Sequence, residues 1–321
     1  MRRALAVLAA ALALLTALCA AAEETTLQAV PIVGHAISLL EPGNPFIERY
    51  NRTTGENVEP LTTHGVPYFW GGREGGSLFA KAPDYVVKPV WQSSPAYYVK
   101  GKKYIYGFDC VGLVSWSWQQ AYGTEMPRRW DLFDDVKNQI RNDRTGDGPV
   151  WDGWREAVVP GDLLLLEHED GHHIAVYIGT LRMYGYTAEE APELAEWLDA
   201  PLVIHSSVNA QISDRFAELI KHGLPKYHCA TVTDGGVCVA LVTPDREQAP
   251  NLVHQQNQDT RYFVLPDGTW LPILPCDDLT GYCWYRKGPE DPVPAGETAE
   301  ETAEGITDET AEEAGGETAE K

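Results

Sequence analysis

Three kinds of hydrophobic pattern divide the chain. Residues 4–18 form an unbroken apolar run without a charge. From residue 29 to about residue 288, short apolar stretches alternate with turn residues. Beyond that, Val293 and Ile306 are the sizeable apolar side chains that remain. The pattern predicts an early helix over residues 29–40, interrupted by Pro31 and stopped at Pro42-Gly43-Asn44-Pro45, with a further turn at 46–50. Val111, Val114, Trp118, Ala121 and Tyr122 recur at helical spacing, and Gly123 ends that run. Residues 130–140 also read as helix, with a polar loop at 142–148.

The character then changes. Leu163 to Leu166 and the returning residues 172–179 flank Glu169-Asp170-Gly171, which predicts a β-hairpin. Residues 187–198 read as a helix opened by Thr187-Ala188-Glu189-Glu190, close to a capping box. Residues 202–206 read as a short strand and 213–222 as helix. The remainder, through Leu265-Pro266-Asp267-Gly268-Thr269-Trp270 and residues 282–286, reads as hairpins. The glycine-, proline- and tyrosine-rich stretch 73–106 reads as a long surface insertion.

Composition adds compartment and charge. Met1-Arg2-Arg3, the apolar run and Ala20-Ala21-Ala22 before Glu23 read as a cleaved export signal over residues 1–22. That reading makes the mature protein secreted, with no stable membrane anchor. Residues 23–60 are a lead segment with a helix, and 61–288 form the main domain. Residues 289–321 repeat Glu-Thr-Ala-Glu and carry twelve carboxylates against one lysine, half of the chain's net charge of −22. Such a segment buries too little apolar surface to offset chain entropy, so disorder is expected there. The acidity argues against nucleic acid as a partner. Nothing in the pattern calls for an oligomer, and a monomer is expected.

Export permits disulfides. Cys229 and Cys238 flank the turn Thr233-Asp234-Gly235-Gly236, and Cys276 lies close to Cys283, so pairing within each couple is expected, with reduced, buried thiols as the alternative. Asn51-Arg52-Thr53 fits a glycosylation sequon. Cys110 is left without a couple, at the start of the helical pattern. Asp109 before it can cap that helix, and a helix N-terminus favours thiolate. A lone cysteine ahead of an apolar helix is more often a small buried hydrophobe, so the thiol needs a base.

Strand alternation puts His173, Ala175 and Tyr177 on one face and Ile174, Val176 and Ile178 on the other. A helix packed on the small-residue face would bring Cys110 to His173. His205, on the next strand, could hold the back of that imidazole. Nucleophile, base and orienter would then be Cys110, His173 and His205. His172 points the other way and reads as a bystander. The polar cluster around Glu167 and His168 reads as a solvated hairpin tip, and neither a metal nor a cofactor is called for.

These residues fall into ordered motifs. Tyr68-Phe69-Trp70-Gly71-Gly72, Gly107-Phe108-Asp109-Cys110-Val111-Gly112-Leu113-Val114, Pro160-Gly161-Asp162-Leu163, His173-Ile174-Ala175-Val176-Tyr177-Ile178-Gly179 and Ile204-His205-Ser206 together resemble the NlpC/P60 cysteine peptidases of bacterial cell walls. The resemblance implies a papain-like α+β fold, with the nucleophile helix packed on a small antiparallel sheet. It implies a cell-wall-associated enzyme that cuts peptidoglycan stem peptides through a cysteine thioester, commonly between D-glutamate and a diamino acid. It gives the Tyr68 hydroxyl the role of orienting substrate or binding the oxyanion, makes the Cys110 N–H another oxyanion donor, and groups Asp109 and Trp70 with Tyr68 as substrate or oxyanion residues.

Three features depart from the family pattern. Val111 stands where a serine is usual, the 73–106 stretch is long, and the interval from His173 to His205 is long, with Asn209 the nearest substitute for His205. An amidase or acyltransferase using the same three residues, and a non-catalytic wall-binding module, are the competing readings.

Overall fold

Prolines set where the first two helices begin. In a computed structural model of the chain, α1 spans Pro31–Ile37 and α2 spans Pro45–Thr54, each with proline in its first turn. Proline there loses no hydrogen bond and carries a helical φ. The early helix therefore starts at Pro31 instead of being interrupted by it. Asn44 caps α2 by accepting from the Phe46 N–H at 3.0 Å, and left-handed Gly55 ends it. The side chain of Asn51, in the glycosylation triplet, is committed to both backbone groups of Val58 at 2.8 Å each.

The structure describes residues 27–63, 65–69, 71–73, 87–89, 103–128, 131–132, 138–143, 157–168, 171–190, 192–207, 235–243, 254–255, 261–276 and 279–287. The chain divides into units 1–286 and 287–321, and the elements below belong to the first. The expected export signal, the acidic tail, Trp70, Asn209, Cys229 and the 213–222 helix lie outside the described residues.

Helix α3 is Cys110–Tyr122, bounded by Asp109 and left-handed Gly123 as the sequence predicts. The 73–106 stretch contributes a two-stranded antiparallel ribbon, β1 (Val87–Pro89) with β2 (Lys103–Ile105). The other strands are β3 (Gln139–Asp143), β4 (Leu163–His168), β5 (Gly171–Thr180), β6 (Pro201–Ser207), β7 (Gly236–Thr243), β8 (His254–Gln255), β9 (Arg261–Val264), β10 (Trp270–Pro275) and β11 (Leu279–Tyr285). They form one nine-stranded sheet in the order β3-β11-β4-β5-β6-β7-β10-β9-β8. The architecture is thus α+β.

Three local expectations are corrected. Residues 139–143 are strand β3, paired with β11, where helix and then loop were expected. Residues 187–198 form turns around a short 3₁₀ helix, Pro192–Leu194. Pro192 lacks the donor an α-helix needs and disfavours helical φ/ψ at Ala191. The last strand, β11, makes no hairpin with β10; it inserts between β3 and β4, and β10 runs parallel to β7.

The strand order forces the sheet to curl. Pro275 ends β10 and Leu279 begins β11, so the connecting chain spans about 14 Å at most. In a flat sheet those two strands would lie five spacings apart, roughly 24 Å. Two apolar clusters occupy the two faces. The larger joins α1, α2 and α3 to Leu163, Leu165, Ile174, Val176, Ile178, Leu202 and Ile204. The smaller comprises Leu164, Leu166, Ala175, Tyr177, Val203, Ala240, Val242, Tyr282 and Trp284, with Val158 beside them. Most of these are fully buried, and no described helix joins their cluster. Arg286, just past β11, makes two 2.8 Å bonds to the buried carboxylate of Asp162 before β4, fastening the two strand ends.

Candidate active site

Backbone packed on backbone positions Cys110. Tyr68 bridges Phe108 in parallel, and Pro67 bridges Gly236 at the start of β7. The Phe69 N–H donates to Phe108 O at 3.0 Å, the Phe108 N–H to Pro67 O at 3.0 Å, and the Asp109 N–H to Gly72 O at 3.2 Å. This approach requires glycine. A Cβ on Gly107 would strike the Pro67 carbonyl, and one on Gly112 the Gly72 carbonyl. The glycines of the two motifs are therefore a packing device that holds residues 67–72 against the turn before the thiol.

Asp109 locks the same turn. Its Oδ1 accepts from the Gly112 N–H at 2.6 Å, capping α3, and its Oδ2 accepts from the Gly71 N–H at 3.1 Å. The Arg73 guanidinium is 4.0 Å away. Burial raises the carboxyl pKa, against the lowering effects of the Gly112 N–H, Arg73 and the Gly71 N–H. Cys110 is half-buried as the first residue of α3, where the helix dipole favours thiolate. Tyr68 is buried, its N–H donating to Gly235 O at 2.8 Å.

The two histidines meet. His173 Nε2 lies 2.6 Å from His205 Nδ1, with the rings edge to face. Strands β5 and β6 pair Val176 with Ile204 and Tyr177 with Val203. Continuing that register puts His205 opposite Ala175 and His173 one diagonal step away, within side-chain reach. His205 is 4 % exposed. Burial, then the neighbouring His205 and His168, hold the His173 pKa well below the ordinary histidine range. Burial pushes His205 down to about 4. Both rings are neutral at pH 7, so one N–H is shared between them.

The tautomer decides the chemistry. With the shared proton on His173 Nε2, its Nδ1 is a bare acceptor that can take a thiol proton. The His205 proton then sits on Nε2, which is buried with no hydrogen-bond partner among the described residues. With the shared proton on His205 Nδ1, His173 must carry its own on Nδ1 and cannot act as a base.

One expectation about this site is overturned. The body of α3 packs on the face of Ile174, Val176 and Ile204, because those bulky side chains offer it more apolar surface. His173 and His205 alternate with these residues and share the face of Ala175, Tyr177 and Val203, beyond the strand wall. Ser206, next to His205, points back to the α3 side, where its hydroxyl donates to the Phe108 carbonyl at 2.7 Å. His172 pairs with Glu167, its Nδ1 4.0 Å from that carboxylate.

The disulfide expectations fail as well. Cys110, Cys238, Cys276 and Cys283 are thiols. Cys283 is buried in the larger cluster and Cys276 packs on the smaller one, so the sheet separates them. Cys238 stands opposite His205 in the β6–β7 register, and burial, then Glu41, raises its pKa. The motifs did not single out Ser206 and Cys238 as contacts; alternation along β6 with β7 placed beside it would have shown both.

No family model, curated protein or solved structure matches the chain. Among the described residues, no helix is long and apolar enough to cross a membrane.

Proposed function

We propose that this chain is a secreted, cell-wall-associated cysteine peptidase of the NlpC/P60 type, with a papain-like fold, cutting stem-peptide amide bonds of peptidoglycan. The observation that supports it most is the 2.6 Å contact between His173 and His205, the two imidazoles that the motifs pair as base and orienter. In this reading His173 Nδ1 takes the Sγ proton of Cys110. The thiolate attacks the amide carbon, and the Cys110 N–H and Tyr68 hydroxyl receive the oxyanion. The imidazolium then protonates the leaving amine, and water hydrolyses the thioester.

Because the body of α3 and the imidazoles lie on opposite faces, this reading requires the thiol, at the first residue of α3, to meet His173 past the edge of the strand wall. The same arrangement of faces favours one second reading, a wall-binding module in which the neutral histidines are structural. An amidase would keep the same three residues and cut a different bond. Mass spectrometry of defined muropeptides after incubation with the purified chain separates these. A peptidase leaves a shortened stem, an amidase frees the whole stem, and a binding module leaves the muropeptide intact. The proposed reading predicts the shortened stem, and an uncut muropeptide overturns it.

A further inference from the structure

A side-chain hydrogen bond joins the strand of His205 to the turn that presents Cys110. Ser206 Oγ donates to Phe108 O at 2.7 Å across 98 residues of sequence. Ser206 is 1 % exposed, so no water competes for the bond. The same carbonyl accepts from the Phe69 N–H at 3.0 Å, which fills its two lone pairs. Phe108 is two residues before the thiol, and Ser206 follows the residue whose Nδ1 touches His173.

From this geometry we infer that Ser206 is a positioning residue for the proposed reaction: its hydroxyl fixes the height of the Cys110 turn against β6, and so against the histidine pair. The inference rests on the peptidase reading. Without the hydroxyl, Phe108 O keeps its bond to Phe69, the glycine-packed backbone remains, and α3 stays capped by Asp109. The fold therefore survives while the turn gains freedom along the strand. A shift of a fraction of an ångström at the thiol is enough to matter, because attack needs a near-contact geometry. Substrate binding is untouched, since Ser206 is buried beneath the turn.

The test compares Ser206→Ala and Ser206→Thr with the wild-type chain, in muropeptide kinetics and in the rate of Cys110 alkylation by iodoacetamide. The expected result for Ser206→Ala is a kcat lower by about tenfold at unchanged KM, with slower Cys110 alkylation. Ser206→Thr, which keeps the donor, recovers much of both. A wild-type kcat and alkylation rate in Ser206→Ala overturns the inference, as does a loss confined to KM. If the wild-type chain cuts no muropeptide, the peptidase reading fails. An alkylation rate unchanged by Ser206→Ala then removes the positioning role as well.

Discussion

The two faces of the central sheet are built from the same strands and do different work. One meets three helices through Leu163, Leu165, Ile174, Val176 and Ile204 and carries most of the buried apolar surface. The other carries Ala175, Tyr177, Val203 and Trp284, and at one end holds His173, His205 and Cys238. Adjacent residues of β6 are thereby separated: Ser206 serves the turn of the thiol and His205 the imidazole pair. A reactive pair can be assembled from such a sheet only at its rim, where neither face is shielded from the other.

The largest expected effect is on the helical side. Gly112→Ala puts a methyl group into the Gly72 carbonyl, backbone against backbone, with no flexible side chain to give way. Unfolding in urea should show a loss of about 3 kcal/mol or more, or no folded protein at all. A wild-type midpoint would mean that the two motifs do not pack as described.

The histidine face answers through pH. His205 is neutral in the fold, with a pKa near 4, but titrates near 6.5 when unfolded. The unfolded chain therefore takes up the proton first. The contribution is fully present above pH 6.5 and is lost as pH falls towards 4, by about 3 kcal/mol. Urea midpoints at pH 7 and pH 4.5 measure this directly. His205→Asn should weaken the dependence, leaving the part that the lowered pKa of His173 contributes, and an equal slope in that variant would place the titration elsewhere.

Smaller effects sharpen the contrast. Arg286→Ala leaves the Asp162 carboxylate buried without its bidentate partner and should cost about 2 kcal/mol in a denaturant titration. Asp109→Ala removes the cap of α3 and the tie to Gly71, at about 1 kcal/mol. Because it also frees the thiol turn, it should slow Cys110 alkylation more than its stability cost suggests. Equal rates in the variant and the wild type would make the cap purely structural.

Much of this was legible in the sequence, because the signals are local. Asp109 as cap, Gly123 as stop, the β4–β5 hairpin and the alternation of His173 with Ile174 each depend on near neighbours. The pairing of His173 with His205 also followed, since consecutive antiparallel strands share a face. What escaped depends on long-range pairing. Residues 139–143 read as the end of a helix and the start of a loop but lie beside β11, and β11 inserts beside β4 while its chain neighbour β10 joins β7. Which face of the sheet α3 would cover was misjudged because alternation fixes two faces without saying which one a helix meets. The disulfide couples failed for the same reason: closeness in sequence places Cys276 near Cys283, and the sheet between their faces keeps them apart.

The most direct measurement of the central claim is the rate of stem-peptide cleavage by the purified chain and by Cys110→Ala and His173→Ala, each shown to be folded. The account predicts cleavage by the wild-type chain and losses of at least about a thousandfold in both variants. Cleavage at the wild-type rate by either variant would contradict it.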